Sequence, residues 1–378
     1  MGQLSRYKFN IHAIIILVIF TLLLTSCASK DPVKPKISAK NEKSNTSVMS
    51  GENSWKLPIK IPSGEFYKVA GWASNEQFVY ITNQGQTSNV YLYQLSTGKS
   101  ELIYQSDSPI VTAQISPSQK YILVQSSPTS YEGIVTIIDL KGKVKRQETI
   151  ACYELAFEWN PYNENEIIVE KFNEDWTFAL YLLKINSEPM IQLDLPQPFT
   201  KWLADSRLAY LKWDENNPKL FAPLAVKDLN TGEEKTLFTE VMQISTFKNL
   251  LMTITVEKKD QSEAVYSFYN KELEKVYMFS IPQLSKYSDW LVPFYDYSEK
   301  KGQFITLEPK TSGEADTYMD GFNLVSYKLQ PANKKTILEG LKNEPLSFSP
   351  SGEFLLYGNS FEKIISVNTK KIYALTKE

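Results

Sequence analysis

A short motif recurs along the chain and constrains its fold more than any other feature of the sequence. Residues 115–124 read Ile-Ser-Pro-Ser-Gln-Lys-Tyr-Ile-Leu-Val, and residues 348–357 read Phe-Ser-Pro-Ser-Gly-Glu-Phe-Leu-Leu-Tyr. In both copies a Ser-Pro turn separates two strands rich in aromatic and aliphatic residues. Degenerate copies start at Trp72, Trp159, Trp202, Ile244 and Pro293. Because one copy cannot bury its apolar face alone, the repeats predict a unit that stacks against its neighbours.

The repeats divide the chain into units of roughly 40 to 55 residues, each with four short strands. Seven units can be counted, at roughly 69–106, 110–150, 153–196, 199–239, 241–282, 288–341 and 345–378. We therefore predict an all-β fold, a β-propeller of four-stranded antiparallel blades over residues 54–378. The fifth and sixth units are weakly patterned, so six blades are the alternative to seven. Residues 56–61 are predicted to pair as a strand with the last blade and close the ring.

An apolar run near the amino terminus indicates export. Residues 13–24 are apolar or nearly so, and two basic residues precede them. The run has the length of a signal-peptide core and is shorter than the about 20 residues that a membrane-spanning helix needs. We therefore predict a signal peptide over residues 1–26. An uncleaved membrane helix starting near residue 9 or 11 is the alternative.

The residues that follow resemble the lipobox of bacterial lipoproteins. Leu24, Thr25 and Ser26 stand directly before Cys27. The resemblance implies that the chain is cut before Cys27 and that this cysteine receives lipid. Two or three acyl chains on one residue give a stable anchor, since each buried methylene contributes about 0.8 kcal/mol. We predict a lipid-anchored protein on the extracytoplasmic face of the cell membrane, with a flexible, Lys- and Pro-containing linker over residues 27–53.

The residue inventory excludes several kinds of site. The single histidine, His12, lies in the predicted signal peptide, so the mature chain has no histidine for a catalytic triad or a histidine-ligated metal. Once Cys27 carries lipid, Cys152 is the other cysteine and has no partner for a disulfide. The net charge of −2 becomes more negative when the signal is removed, which disfavours nucleic acid as a partner. We predict no cofactor, no metal site and no identifiable catalytic residue.

The repeats are similar to those of a known group of propellers. Ser-Pro-Ser-Gln-Lys at 116–120 and Ser-Pro-Ser-Gly-Glu at 349–353 are similar to the Ser-Pro-Asp-Gly-Lys repeat of TolB-like propellers, with Ser118 and Ser351 in place of the aspartate. Taken with the lipobox and the Lys-, Ile- and Asn-rich composition, the whole chain resembles the YqgU-like β-propeller lipoproteins of Gram-positive bacilli. The resemblance implies a propeller described as six-bladed, and it brings no catalytic residues to carry over.

One rim of the predicted propeller combines aromatic and acidic residues. The loops between the second and third strands of the blades open on the same rim as the connections between blades. Candidate ligand-binding residues in these loops are Tyr131, Glu132, Asp175, Trp176, Trp213, Asp214, Asp316 and Tyr318. Aromatic rings beside carboxylates are suited to stacking a sugar ring or holding a cationic peptide. Ordinary solvated loops are the alternative.

These features predict a membrane-anchored binding module. Its partners would be membrane lipid, through the acyl anchor, and an unknown protein or cell-envelope polymer at the rim. The alternative is a carboxylate-dependent hydrolase or lyase acting on cell-wall glycan, because two carboxylates can serve such a reaction.

Replacing Cys27 with serine should abolish incorporation of labelled palmitate, because the thiol that accepts the lipid is removed. The matched control is Cys152→Ser, which changes the only other cysteine and leaves Cys27 in place. Label on the Cys27→Ser protein would contradict the predicted lipidation site.

Overall fold

The computed structural model describes residues 54–377, apart from Glu215, Pro218, residues 257–260 and Ser288. The predicted signal peptide, Leu24, Thr25, Ser26, Cys27 and the linker therefore lie outside the described residues. Within the described ranges, no helix is both long enough and apolar enough to span a bilayer.

The described residues form seven four-stranded antiparallel sheets, each built from strands in chain order. The first sheet contains β1 (Glu65–Trp72), β2 (Gln77–Gln84), β3 (Thr87–Gln94) and β4 (Lys99–Ser106). The second contains β5 (Ile110–Ile115), β6 (Tyr121–Thr129), β7 (Glu132–Asp139) and β8 (Val144–Ala151). The third contains β9 (Glu154–Trp159), β10 (Glu166–Phe172), β11 (Phe178–Lys184) and β12 (Ser187–Leu193). The fourth contains β13 (Lys201–Ala204), β14 (Arg207–Leu211), β15 (Ala222–Asp228) and β16 (Glu234–Val241).

The other three sheets follow the same order. The fifth contains β17 (Gln243–Phe247), β18 (Leu250–Val256), β19 (Glu263–Tyr269) and β20 (Lys275–Pro282). The sixth contains β23 (Tyr295–Ser298), β24 (Gln303–Pro309), β26 (Phe322–Lys328) and β27 (Asn333–Leu341). The seventh contains β28 (Leu346–Phe348), β29 (Phe354–Tyr357), β30 (Lys363–Ser366) and β31 (Ile372–Ala374). A small extra sheet pairs β21 (Leu284–Ser285) with β22 (Trp290–Leu291) and β25 (Gly313–Glu314), and a 3-10 helix follows at Ala315–Thr317.

The predicted all-β propeller of four-stranded blades is confirmed. The seven sheets coincide with the seven repeat units, and the largest difference is in the sixth unit, where β23 starts at Tyr295. The residues before Tyr295 include the extra strands β21 and β22. This insertion explains why the sixth unit is long and weakly patterned in the sequence.

The core consists of the contacts between neighbouring sheets. Along β10, Ile167 and Val169 pack towards the second sheet, whereas Ile168 packs towards the fourth. Successive side chains of a strand point to opposite faces, so a run without polar residues is required where both faces are buried. Each of the seven apolar clusters in the described chain joins two neighbouring sheets in this way.

One of these clusters joins the last sheet to the first and closes the ring. Trp72 and Tyr80 of the first sheet pack with Leu356 and Ile364 of the seventh. The indole nitrogen of Trp72 also donates to the carbonyl oxygen of Ser347 at 3.2 Å. Because the seventh sheet takes all its strands from the carboxyl end, side-chain packing rather than strand exchange closes the ring.

The prediction that residues 56–61 form a closing strand is wrong. This segment has no strand structure, although the amide of Ile59 donates to the carbonyl oxygen of Leu375 at 2.8 Å and the Ile59 side chain is buried. Pro58 lies within the segment and Pro62 directly follows it, and proline has no amide hydrogen to extend a strand ladder. The segment therefore covers the junction between the first and seventh sheets without pairing as a strand.

The two ends of the ring carry different loops. In every four-stranded sheet, the loop between the second and third strands lies at the same end as the connection to the next sheet, since successive strands alternate in direction. We call this end the upper rim and the opposite end the lower face. At the lower face, the Tyr162 hydroxyl lies 2.9 Å from the carbonyl oxygen of Leu203 and 2.7 Å from that of Lys248, and the Lys248 amide donates to Glu299 at 2.7 Å. Side chains and backbone of the third to sixth sheets are thereby tied together.

Trp202→Ala should destabilise the fold by about 3–5 kcal/mol, the usual cost of deleting a large buried aromatic side chain. Trp202 is fully buried between the third and fourth sheets, and its indole donates to the carbonyl oxygen of Glu158 at 3.2 Å. Trp213→Ala is the control, because that ring is 37% exposed, and should cost clearly less. Urea denaturation followed by circular dichroism measures both. Equal losses would contradict the assignment of the inter-sheet contacts as the core.

Candidate ligand-binding rim

Exposed apolar side chains in loops are confined to one end of the described propeller. The large exposed side chains on strands are scattered, but those in loops all belong to the upper rim: Tyr131, Tyr153, Trp176, Phe199, Trp213, Leu220, Tyr287, Phe294 and Met319. An apolar surface concentrated on one side of a protein marks an interaction site. The upper rim is therefore the candidate functional surface.

Five aromatic residues form a continuous row across the second, third and fourth sheets. The row, called here the aromatic ridge, consists of Tyr131, Tyr153, Trp176, Phe172 and Phe199. Ring centroids of successive members are 6.5, 6.2, 6.1 and 5.5 Å apart. Phe172 is buried and supports its neighbours, whereas Trp176 is 61% exposed and Phe199 is 66% exposed. The ridge thus presents four rings to solvent from four different loops.

Two of the residues with exposed rings have a positive φ angle. Trp176 has φ of 63° and Phe199 has φ of 59°, in the left-handed region that bulky side chains rarely occupy. The turn at Trp176 is held by its amide, which donates to the carbonyl oxygen of Asn173 at 3.0 Å. Left-handed backbone is not confined to the rim, since Gln119 and Lys370 adopt it in loops of the lower face.

A buried carboxylate fixes the position of Phe199. Glu170, on β10, is 2% exposed and accepts hydrogen bonds from the amides of Phe199 and Thr200, each at 2.8 Å. The Thr200 hydroxyl donates to the same carboxylate at 3.1 Å. These donors compensate for the burial of the charge and hold the connection between the third and fourth sheets. Glu170 is a positioning residue that the sequence analysis missed, although an acid within an apolar strand is an available signal.

Two cavities continue from the ridge, from the fourth and fifth sheets to the small extra sheet. One has a volume of about 440 Å³ and is lined by Phe199, Lys201, Trp213 and Gln243, among others. The other, of about 540 Å³, shares Trp213 and Gln243 and extends to Trp290. Trp213 therefore stands between two adjoining cavities, each of the size of a small-ligand site.

Lys201, which lines the first cavity, forms an ion pair with Glu158. The Lys201 amine lies 2.6 Å from the carboxylate of Glu158. Burial alone would lower the pKa of Lys201, but the negative charge of Glu158 raises it, so the lysine stays protonated. Gln243 lines the same cavity and donates its amide hydrogen to the Tyr295 hydroxyl at 3.1 Å.

The structure brings together only part of the predicted candidate set. Tyr131 and Trp176 belong to the ridge, and Trp213 lines both cavities. Glu132 begins β7 directly after Tyr131. Tyr153, Phe199 and Trp290 were not predicted. Tyr153 and Phe199 lie in connections between sheets that the sequence analysis did not search for candidates.

The two predicted aspartates of the third and fourth sheets shape their own loops. Asp175 accepts hydrogen bonds from the hydroxyl of Thr177 at 2.7 Å and from its amide at 3.1 Å. The hydrogen bonds from Thr177 lower the pKa of Asp175, so this carboxylate is ionised near neutral pH. Asp214 accepts a hydrogen bond from the amide of Asn216 at 3.0 Å.

The predicted residues of the sixth sheet lie in a separate part of the rim. Asp316 is in the short 3-10 helix, and the Tyr318 ring packs against Phe322 with centroids 5.3 Å apart. The Tyr318 hydroxyl accepts from the amide of Lys310 at 2.6 Å and donates to the carbonyl oxygen of Gly321 at 2.9 Å. These bonds close the loop on itself. Neither residue is in the ridge or lines the two cavities.

The chain is similar to proteins from several organisms. A family model described as "YqgU-like 6-bladed beta propeller domain" matches residues 94–358. The chain is 27% identical to "Uncharacterized lipoprotein YqgU" of Bacillus subtilis (strain 168) over 368 residues. The aligned region covers 96% of this chain and 97% of the relative. A crystal structure of an uncharacterized protein from Listeria monocytogenes EGD-e has a TM-score of 0.78 and 23% identity, over 85% of this chain and 99% of that one. The β-propeller domain of the Trilobed protease from Pyrococcus furiosus has a TM-score of 0.55 and 12% identity, over 83% and 98% of the two chains.

The family match covers the central part of the propeller. It starts at the last residue of β3 and ends just after β29, so the second to sixth sheets lie within it completely. The family description specifies six blades, whereas the described residues of this chain form seven four-stranded sheets. Because the match spans well over half of the sequence, the chain belongs to the YqgU-like 6-bladed beta propeller domain family.

Proposed function

We propose that the protein is a membrane-anchored extracytoplasmic lipoprotein whose upper rim binds a protein or a cell-envelope polymer. The observation that carries the proposal is the confinement of exposed apolar loop residues to this rim. Four of them belong to the ridge, and the cavities at Trp213 extend the same surface. Large, rigid aromatic side chains provide contact area at low conformational cost, which suits a binding surface.

The anchor is proposed from the sequence and from the relative. Leu24, Thr25, Ser26 and Cys27 resemble a lipobox, and the Bacillus subtilis relative is named a lipoprotein. The described chain starts at Ser54, and the Lys56 amide donates to the carbonyl oxygen of Leu95 at 2.8 Å, in a loop of the lower face. The first described residues therefore lie at the face opposite the rim.

The proposal is tested by substituting the two strained aromatic residues of the ridge. The double variant carries Trp176→Asn and Phe199→Asn. Because asparagine tolerates the left-handed backbone, the free energy of unfolding should change by only about 1 kcal/mol. Binding of the detergent-solubilised full-length protein to isolated cell-wall fragments and to purified envelope proteins should weaken at least about tenfold, since aromatic residues dominate binding surfaces. Binding isotherms and urea denaturation measure the two effects.

The matched control is Gln119→Asn with Lys370→Asn. Both residues have the same left-handed backbone, with φ of 59° and 61°, and both lie in loops of the lower face. This variant should bind as the natural protein does. Equal binding by the rim variant and the control, or no saturable binding by the natural protein, would contradict the proposal.

The glycan hydrolase or lyase alternative depends on the rim carboxylates. The lowered pKa of Asp175 disfavours the protonated form that a general acid needs. Release of soluble fragments from cell-wall glycan by the natural protein, and its loss in Asp175→Asn or Asp214→Asn, would replace the binding proposal with an enzymatic one.

A further inference from the structure

Carboxylates accompany the exposed rings of the aromatic ridge on the second and third sheets. Glu132 follows Tyr131 in the chain, Glu154 follows Tyr153, and Asp175 precedes Trp176. Glu174 lies in the same loop as Asp175, and Glu154 is directly opposite Phe172 in the ladder of β9 and β10. The ridge on these two sheets is therefore both aromatic and acidic.

These four carboxylates have no ion pair within the described part of the chain. Glu154, Glu174 and Asp175 are exposed, and Glu132 is half-buried. The nearest lysine in sequence is Lys171, on β10 beside Phe172. The ridge thus has an excess of negative charge that a positively charged partner can complement.

The spacing of the rings matches an extended polypeptide. Side chains two residues apart on one face of a strand are about 6.6–6.8 Å apart. The centroids from Tyr131 to Tyr153 and from Tyr153 to Trp176 are 6.5 and 6.2 Å apart, and the two pairs of ring planes are inclined at 48° and 78°. An ammonium group over a ring face that is open to solvent gains a cation–π contact, and a carboxylate beside that ring adds an ion pair.

We propose that the aromatic ridge binds an extended polypeptide segment with lysines at alternate positions. The inference rests on the proposed function, because it takes the upper rim as the binding surface and adds the chemical class of the partner. The rings supply the platforms, and Glu132, Glu154, Glu174 and Asp175 supply the charge. The cavities at Trp213 are not part of this proposal, since Lys219 and Lys286 line the second of them.

The test measures binding of fluorescent, end-blocked peptides to the full-length protein in detergent. The probe alternates lysine and serine, four of each; one comparison peptide replaces lysine with glutamate, and another groups the four lysines together. We expect saturable binding of the alternating lysine peptide, at least about fivefold tighter than the grouped one, and none of the glutamate peptide. Equal affinity for the alternating and grouped lysine peptides would overturn the spacing argument and with it the proposal.

The charge is tested with Glu154→Gln and Glu174→Gln together, which keep the size of the side chains. Affinity for the alternating lysine peptide should fall about threefold to tenfold. The control is Glu233→Gln with Glu272→Gln, which removes the same charge from loops of the lower face and should leave the affinity unchanged. Affinity within twofold of the natural protein in the Glu154 and Glu174 variant would overturn the inference.

The result of the peptide tests can be distinguished from the result of the test of the proposed function. If the Trp176 and Phe199 variant loses binding to envelope material while the lysine peptide does not bind, the rim is a binding surface but its partner is not a lysine-bearing segment. If binding to neutral glycan fragments depends on the same rings and not on Glu154 and Glu174, the partner is a polysaccharide and the present inference fails.

Discussion

Burial of both faces of each sheet against its neighbours is the constraint on which the structure depends. The apolar clusters of the described chain lie between sheets, so no sheet has a core of its own. Removing one sheet would expose two apolar faces, and the ring is stable only when it closes. The contact of Trp72 and Tyr80 with Leu356 and Ile364 completes that closure. Cys152 is a free, buried thiol in the described part of the chain, so the packing between sheets and not a disulfide holds these residues together.

The architecture could be predicted from the sequence because the repeat fixes it locally. Short apolar strands separated by polar turns recur in each unit, with Ser-Pro in the two clearest copies. Strand order follows from this repeat, and the count of seven units, to which six was the alternative, matches the seven sheets. The closing segment was predicted incorrectly because residues 56–61 have the composition of a strand, and the effect of Pro58 and Pro62 on a ladder depends on where the partner lies. The insertion of β21 and β22 follows no repeat and could not be located in advance.

The rim was harder to predict than the ring. Tyr131, Trp176 and Trp213 stand out in sequence because they lie in loops beside acids, but their neighbours in space come from other blades. Phe199 lies in the ridge, where Glu170, about 30 residues earlier, accepts a hydrogen bond from its amide. Asp316 and Tyr318 have the same local composition and lie in a loop that closes on itself. Composition identifies loops that combine aromatic and acidic residues. Which of these loops lie together in space depends on how each sheet is oriented relative to its neighbours.

The two ends of the ring are held together by different kinds of contact. At the lower face Tyr162, with Lys248 and Glu299, links four successive sheets. At the upper rim, the exposed rings of the ridge pack against one another, the chain itself connects successive sheets, and Glu170 holds the connection that carries Phe199. The lower face therefore depends on side-chain hydrogen bonds between sheets, whereas the upper rim is tied by the backbone that joins them. A substitution at Tyr162 would thus loosen the ring at the end that lacks those covalent connections, away from the surface proposed to meet a partner.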